Sequence, residues 1–215
     1  MEFSVPEEIE RLCDGVRRFM DEEIYPRERE IHWKPEAGGP AYPPEVRAIQ
    51  QKAKALGYWA FHLPKEAGGA GIPFMHYVLV NEILGRSPLA PVGVGSQAPD
   101  SGNAELLWRF GTDEQKQRWL GPLVAGDIRS CFSMTEPEVA GSDPKLLRAT
   151  AVRDGDSYVI NGHKWFSSGA HGASFAIVMA MTNPESPSPH LRFSQIIVPT
   201  DTPGFQIVRG IPIMG

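Results

Sequence analysis

Cysteine is almost missing from this sequence: among 215 residues there are two, Cys13 and Cys131, far apart. No disulfide framework can be built from such a pair, and a reducing compartment is expected. Long apolar runs are missing as well, none approaching the ~20 residues that a membrane-spanning helix needs. The opening Met-Glu-Phe-Ser-Val-Pro-Glu-Glu is acidic and leads into no apolar stretch, so no signal peptide is expected. Positive charge is in deficit, with 21 Lys and Arg against 26 Asp and Glu, a net charge of -5 and a pI of about 5.7. That balance argues against nucleic acid or an anionic membrane as partner. The six histidines show no metal-ligand spacing, which disfavours a zinc site. There is no Gly-x-Ser-x-Gly elbow for a serine hydrolase and no phosphate loop of the Gly-x-x-x-x-Gly-Lys-[Ser/Thr] type.

What the sequence does have is punctuation, with 22 glycines and 20 prolines, in an ordinary globular composition of 41% hydrophobic and 22% charged residues. Its first part reads as helices. Ser4, Pro6 and Glu7 suit a helix start. Ile9, Leu12, Cys13, Val16, Phe19, Met20 and Ile24 then form one apolar face, until Pro26 ends or bends the helix. A loop is expected over 34–43 and a helix over 44–56, stopped by Gly57. Further helices are expected over 74–84, largely buried, over 89–98, also buried, and over 104–110, stopped by Gly111. Thr112 to Gln115 has capping-box spacing and opens a helix to Leu120.

From Ile128 the period changes. Short β-rich runs appear at 130–134, 147–153, 158–161, 165–168, 175–181, 194–198 and 206–209. Asp154-Gly155 and Asn161-Gly162 are hairpin signals. The expected fold is α+β: an N-terminal all-α helical bundle over 1–127, then a small antiparallel β-barrel or sandwich over 128–215. Gly93-Val94-Gly95-Ser96-Gln97-Ala98 has the spacing of a dinucleotide fingerprint. No βαβ unit surrounds it, so it reads as helix packing.

Two stretches could carry chemistry. One runs from Cys131 to Asp143, an apolar strand end followed by a polar loop. The other is Asn161-Gly162-His163-Lys164-Trp165-Phe166-Ser167-Ser168-Gly169. Each alone is compatible with ordinary loop and hairpin structure. Together they suit a flat ligand such as a flavin, which needs a dry wall on one ring face and donors at its edge. Phe166 can be the wall. Thr135, Ser167, Ser168 and backbone N–H groups can be the donors. Gly141 and Ser142 allow a close approach to phosphate.

Thr135-Glu136-Pro137, Gly141-Ser142-Asp143 and Asp156-Ser157-Tyr158-Val159-Ile160-Asn161-Gly162-x-Lys164 resemble the acyl-CoA dehydrogenase family. So do Gly111-Thr112-Asp113-Glu114-Gln115-Lys116 and Trp119-Leu120-x-Pro122-Leu123 upstream. The likeness covers nearly the whole chain. It is strongest to the branch of family members ten and eleven, which share the longer Thr-Glu-Pro loop and the Lys-Trp-aromatic-Ser-Ser run. The resemblance implies a helical domain, a middle β domain and a C-terminal helical domain, with FAD between the last two. It implies that Phe132, Met134, Thr135, Gly141 and Ser142 line the flavin from the first stretch, and Phe166, Ser167 and Ser168 from the second. Ser142 would also approach the CoA part of the substrate.

Many family members have one residue fewer between Pro137 and Ser142, a Trp where this chain has Phe166, and a Thr where it has Ser168. The sequence stops where the family is still inside its β domain. The domain that carries the family's carboxylate base is therefore expected outside it, with no catalytic residue assigned here. Glu136 and Asp143 read as loop-structuring. The implied activity is α,β-desaturation of an acyl-CoA to a trans-2-enoyl-CoA, with hydride transfer to FAD and electrons leaving through an electron-transferring flavoprotein. A homodimer or homotetramer is implied at full length, in the cytoplasm, or in mitochondria or peroxisomes if a targeting segment is removed. The alternatives are an acyl-CoA oxidase or flavin monooxygenase of the same fold, or a non-catalytic FAD- or acyl-CoA-binding fragment completed by a partner.

Overall fold

The N-terminal apolar face folds as its spacing requires. In the computed structural model, which describes residues 4–31 and 41–213, helix α1 (Glu7–Phe19) buries Ile9, Cys13, Val16 and Phe19. Its N-cap position is held by Pro6. Pro26 does not end the helix. A π turn over Met20–Ile24 widens the coil, and α2 (Tyr25–Glu28) continues with Pro26 in its first turn, where the missing N–H costs little. Met20 and Ile24 are buried on that turn. The expected loop at 34–43 lies outside the described residues except at its last three positions.

Helix α3 (Pro44–Ala55) forms as expected, and Gly57 follows at φ +75. Helix α4 (Phe74–Leu84) has the expected bounds but not the expected burial. Val80, Ile83 and Leu84 are inside, whereas Phe74 and Met75 are each 74% exposed. The expected helix over 89–98 shrinks to α5 (Ala90–Gly93). Gly95 breaks it at φ +63, in a position where a Cβ would lie 2.7 Å from the Trp59 ring. Gly93 itself packs against Ile49 and Ile24, the packing role read for the fingerprint-like run. Helix α6 (Asp100–Phe110) starts earlier than expected. Then come α7 (Asp113–Gln115), a π turn over Lys116–Leu120, and α8 (Gly121–Ala125). Both halves of the expected capping box form: Gln115 N–H donates to Thr112 Oγ1 at 3.2 Å, and Thr112 N–H to Gln115 Oε1 at 2.9 Å.

A cavity of about 20 Å³ inside this helical unit is lined by Tyr42, Trp59, His62, Gln97 and Asp100 among others. It is about large enough for one water. Both ring nitrogens of His62 are buried without a protein partner. Burial pushes the His62 imidazole down from 6.5 to about 4, against the opposing pull of Glu105.

The described residues separate into two units, 4–31 with 41–128, and 129–213. The second unit is a five-stranded sheet: β1 (Ser130–Ser133), β2 (Thr150–Asp154), β3 (Ser157–Asn161), β4 (Phe175–Met181) and β5 (Phe193–Pro199). It is not the antiparallel barrel expected from the sequence. β4 is the central strand, antiparallel to β5 along its whole length. Its other edge is shared, parallel to β1 over Phe175–Val178 and touching β2 at Met181. β2 and β3 form the expected hairpin, with Asp154 opposite Ser157 around Gly155. The sheet is therefore mixed and does not close. β4 is apolar at every position, and its first four residues are all buried, as a central strand requires.

Two expected strands do not form. At 165–168 the chain turns instead: Phe166 has φ +51, and Ser168 N–H donates to Phe166 O at 2.9 Å. Residues 206–209 join no ladder among the described residues. Asn161-Gly162 is not a hairpin turn either. Gly162 leaves β3 and passes so close to Ala149 that a Cβ there would meet the Ala149 Cβ at 2.4 Å.

Candidate functional site

Strand β1 fixes the start of the site. Cys131 and Ser133 point into the unit and are buried, and Phe132 is half-buried opposite Ile177 of β4. Period-two alternation puts Cys131 and Ser133 on one side of β1 and Phe132 on the other. Past Ser133 the ladder stops and a loop runs to Asp143. The Asp143 carboxylate accepts the Lys145 N–H at 3.1 Å and caps the short 3₁₀ turn Pro144–Leu146. Asp143 thus structures the loop, as the sequence suggested.

Glu136 does so more strongly. Only 1% of it is exposed. Its Oε2 accepts the Arg148 N–H at 2.6 Å, and its Oε1 accepts both the Ala149 N–H and the Lys164 ammonium at 2.8 Å. Burial pushes this carboxyl up, but the Lys164 hydrogen bond and the two backbone N–H groups outweigh it and hold the group below its ordinary value. A carboxylate held ionised in this way is a poor candidate for moving a proton.

Besides the Lys164–Glu136 pair, three further hydrogen bonds dock the second stretch against the first. Trp165 N–H donates to Thr135 O at 3.0 Å. Ser133 Oγ donates to Ser167 Oγ at 2.9 Å. Lys164 Nζ, on a side chain 11% exposed, donates to Met134 O at 2.8 Å. Met134 and Thr135, both half-buried, are thereby brought beside Ser167. Gly141 completes the group: a Cβ there would lie 2.6 Å from Thr135 Cγ2, so the loop folds back onto the Thr135 side chain. Phe166 is 48% exposed, with its ring 4.8 Å from that of Trp165. Its left-handed backbone costs about 1–2 kcal/mol for an aromatic residue. Ser142 and Ser168 are both exposed.

Of the expected site residues, Met134, Thr135, Gly141 and Ser167 are brought together by these contacts, and Phe166 and Ser168 flank Ser167 on the same turn. Phe132 lies in the strand that leads there, and Ser142 on the outer part of the loop. Sequence reasoning missed Ser133, whose signal was its two-residue step from Thr135, and the structural part of Lys164, which was noted only within a motif. Trp165 is the third addition. Its Nε1 is buried without a protein partner, while the exposed Phe166 ring and Ser168 hydroxyl on the same turn, with the close approach of Gly141 to Thr135, fit a flat ligand with acceptors at its rim. Among the described residues no group of His, Cys, Asp and Glu could hold a metal ion, and no helix is long and apolar enough to cross a membrane.

Comparison with known proteins gives this geometry a context. The model of the acyl-CoA dehydrogenase N-terminal domain matches residues 6–127, and that of the middle domain matches 131–215. Acyl-CoA dehydrogenase family member 11 of Gallus gallus is 42% identical over 214 residues, covering 93% of this chain and 26% of that protein. The acyl-CoA dehydrogenase homologue of Mycobacterium abscessus superposes with a TM-score of 0.90 at 40% identity, over 99% of this chain and 55% of that one. Glutaryl-CoA dehydrogenase from Mycobacterium smegmatis, solved in complex with FADH2, gives a TM-score of 0.68 at 27% identity, over 94% of this chain and 48% of that one. The chain thus spans between 26% and 55% of these relatives. On its helical unit, its mixed sheet and these matches, the chain belongs to the acyl-CoA dehydrogenase family, of which it carries the N-terminal and middle domains.

Proposed function

We propose that this chain is the flavin- and thioester-docking part of a flavin-dependent acyl-CoA dehydrogenase. The observation that carries the reading is the joining of two sequence-distant stretches by Ser133 Oγ to Ser167 Oγ and by Trp165 N–H to Thr135 O. That pairing sets hydroxyls, amide donors and an exposed aromatic face beside one another, as a flavin edge and ring require. FAD, when bound, supplies the acceptor for a hydride from Cβ of the acyl-CoA, giving a trans-2-enoyl-CoA.

This chain's residues bind and orient. Phe132, Met134, Thr135, Gly141 and Ser142 line the flavin from the loop, and Phe166, Ser167 and Ser168 from the turn. Phe166 covers a ring face and keeps water from it. Thr135 and Ser168 offer hydroxyls to the ring edge. Ser142 also meets the CoA portion. No residue here is assigned as the base that takes the α-proton. An electron-transferring flavoprotein receives the electrons, and the full-length protein is a homodimer or homotetramer.

Purified full-length protein is expected to be yellow, and Thr135→Ala with Ser168→Ala to lose most of the flavin absorbance. Unchanged flavin content in that double variant would refute the site. Enoyl-CoA formation with an artificial electron acceptor tests the reaction. Oxygen consumption in place of acceptor reduction would favour an oxidase or monooxygenase of the same fold. Flavin or acyl-CoA binding without turnover would favour a non-catalytic binding chain.

A further inference from the structure

Lys164 and Glu136 form a buried ion pair that the proposed flavin site does not use directly. The pair is unusual in what else its members hold. Glu136 reaches away from the site, to the N–H groups of Arg148 and Ala149 at the entry to β2. Lys164 reaches toward it, to the carbonyl of Met134. The next carbonyl, that of Thr135, is held in turn by the Trp165 N–H. Two successive peptide planes are therefore fixed from residues 164 and 165.

A trans peptide sets its N–H opposite its C=O. The bond from Lys164 to Met134 O thus aims the Thr135 N–H in the opposite direction. A cation on a carbonyl also polarises the whole amide, which strengthens the donor on its far side. Lys164 is mostly shielded, with 11% of its side chain exposed, so its charge is poorly screened. Glu136 keeps that ammonium in place and neutralises it overall.

We propose that Lys164 is a positioning residue: through the Met134 carbonyl it aims and polarises the Thr135 N–H toward an acceptor atom on the rim of the bound flavin. The inference rests on the flavin reading of the site. It separates two functions in one ion pair. Glu136 anchors the loop to the sheet, and Lys164 tunes the donor that the loop presents.

The test is spectroscopic, on the full-length protein loaded with FAD. Lys164→Met should weaken FAD binding about tenfold, the order of one net hydrogen bond. It should also shift the visible flavin bands and lower the midpoint potential of the flavin that stays bound. Lys164→Arg should restore part of both shifts. Glu136→Gln should lower the melting temperature yet keep the flavin spectrum near wild type, because Lys164 can still reach Met134 O. If Lys164→Met does not fold, the Lys164→Arg and Glu136→Gln pair carries the same comparison. A lower melting temperature with unchanged spectrum and potential in the Lys164 variants would reduce the pair to a structural clamp and overturn the proposal. A wild-type protein that takes up no FAD would overturn the flavin reading itself, and this inference with it.

Discussion

Acidification should cost the helical unit about 3 kcal/mol by pH 4 through His62 alone. The ring nitrogens of His62 are buried without protein partners beside a cavity of about 20 Å³. Burial lowers its folded value from 6.5 to about 4, and the Glu105 carboxylate only partly opposes this. The folded state therefore keeps His62 neutral where the unfolded chain has already protonated it. The sign follows: the contribution is fully present above pH 6.5 and is lost as pH falls through the window down to about 4. The slope inside that window is about 1.4 kcal/mol per pH unit, one proton's worth. Urea unfolding followed by tryptophan fluorescence at closely spaced pH values would read it, since Trp59 lines the same cavity. His62→Gln removes the titration. The variant should be less stable than wild type at pH 7 and should gain on it by about 3 kcal/mol by pH 4. Parallel stability curves for the two proteins would refute the account of His62 as a buried neutral base.

Two further substitutions test the sheet unit. Gly141→Val places a branched side chain where a lone Cβ already meets Thr135 Cγ2 at 2.6 Å. Thr135 must turn aside, so flavin content should fall about tenfold with the circular dichroism of the fold unchanged; full flavin retention would count against Thr135 as a ligand. Gly162→Ala drives a methyl to 2.4 Å from Ala149 Cβ and 2.9 Å from its Cα, so something in the backbone must give. Denaturant titration should show a loss of about 1–3 kcal/mol, and an equally stable variant would mean that the two segments separate at little cost.

Much of the helical unit was legible because its signals are local. The face from Ile9 to Ile24, the Pro44 start with Gly57 beyond, and the Thr112 box each depend on residues within one or two turns. The misreadings came where local signals compete with distant ones. Leu89 to Ala98 is apolar enough for a helix, but Gly95 lies against Trp59, which is 36 positions away. Phe74 and Met75 look like core by composition and are exposed. Trp165 to Ser168 has strand-forming residues, but Phe166 adopts a left-handed turn that its own side chain disfavours, as sites under functional constraint often do.

The sequence by itself determined which residues could serve a flat, acceptor-rimmed ligand, and it carried the motifs that placed the chain in its family. Composition and spacing suffice for that, because hydroxyls, aromatics and close-approach glycines are chemical properties of single residues. Only the tertiary structure decided which of them meet. The mixed sheet arises because β4 pairs in parallel with a strand more than 40 residues earlier and antiparallel with the strand that follows, a choice that no local pattern encodes. The same long-range pairing brings Lys164, Trp165 and Ser167 onto Met134, Thr135 and Ser133. It also turns Glu136, a tempting acid in the sequence, into a buried anchor whose carboxylate already accepts three hydrogen bonds.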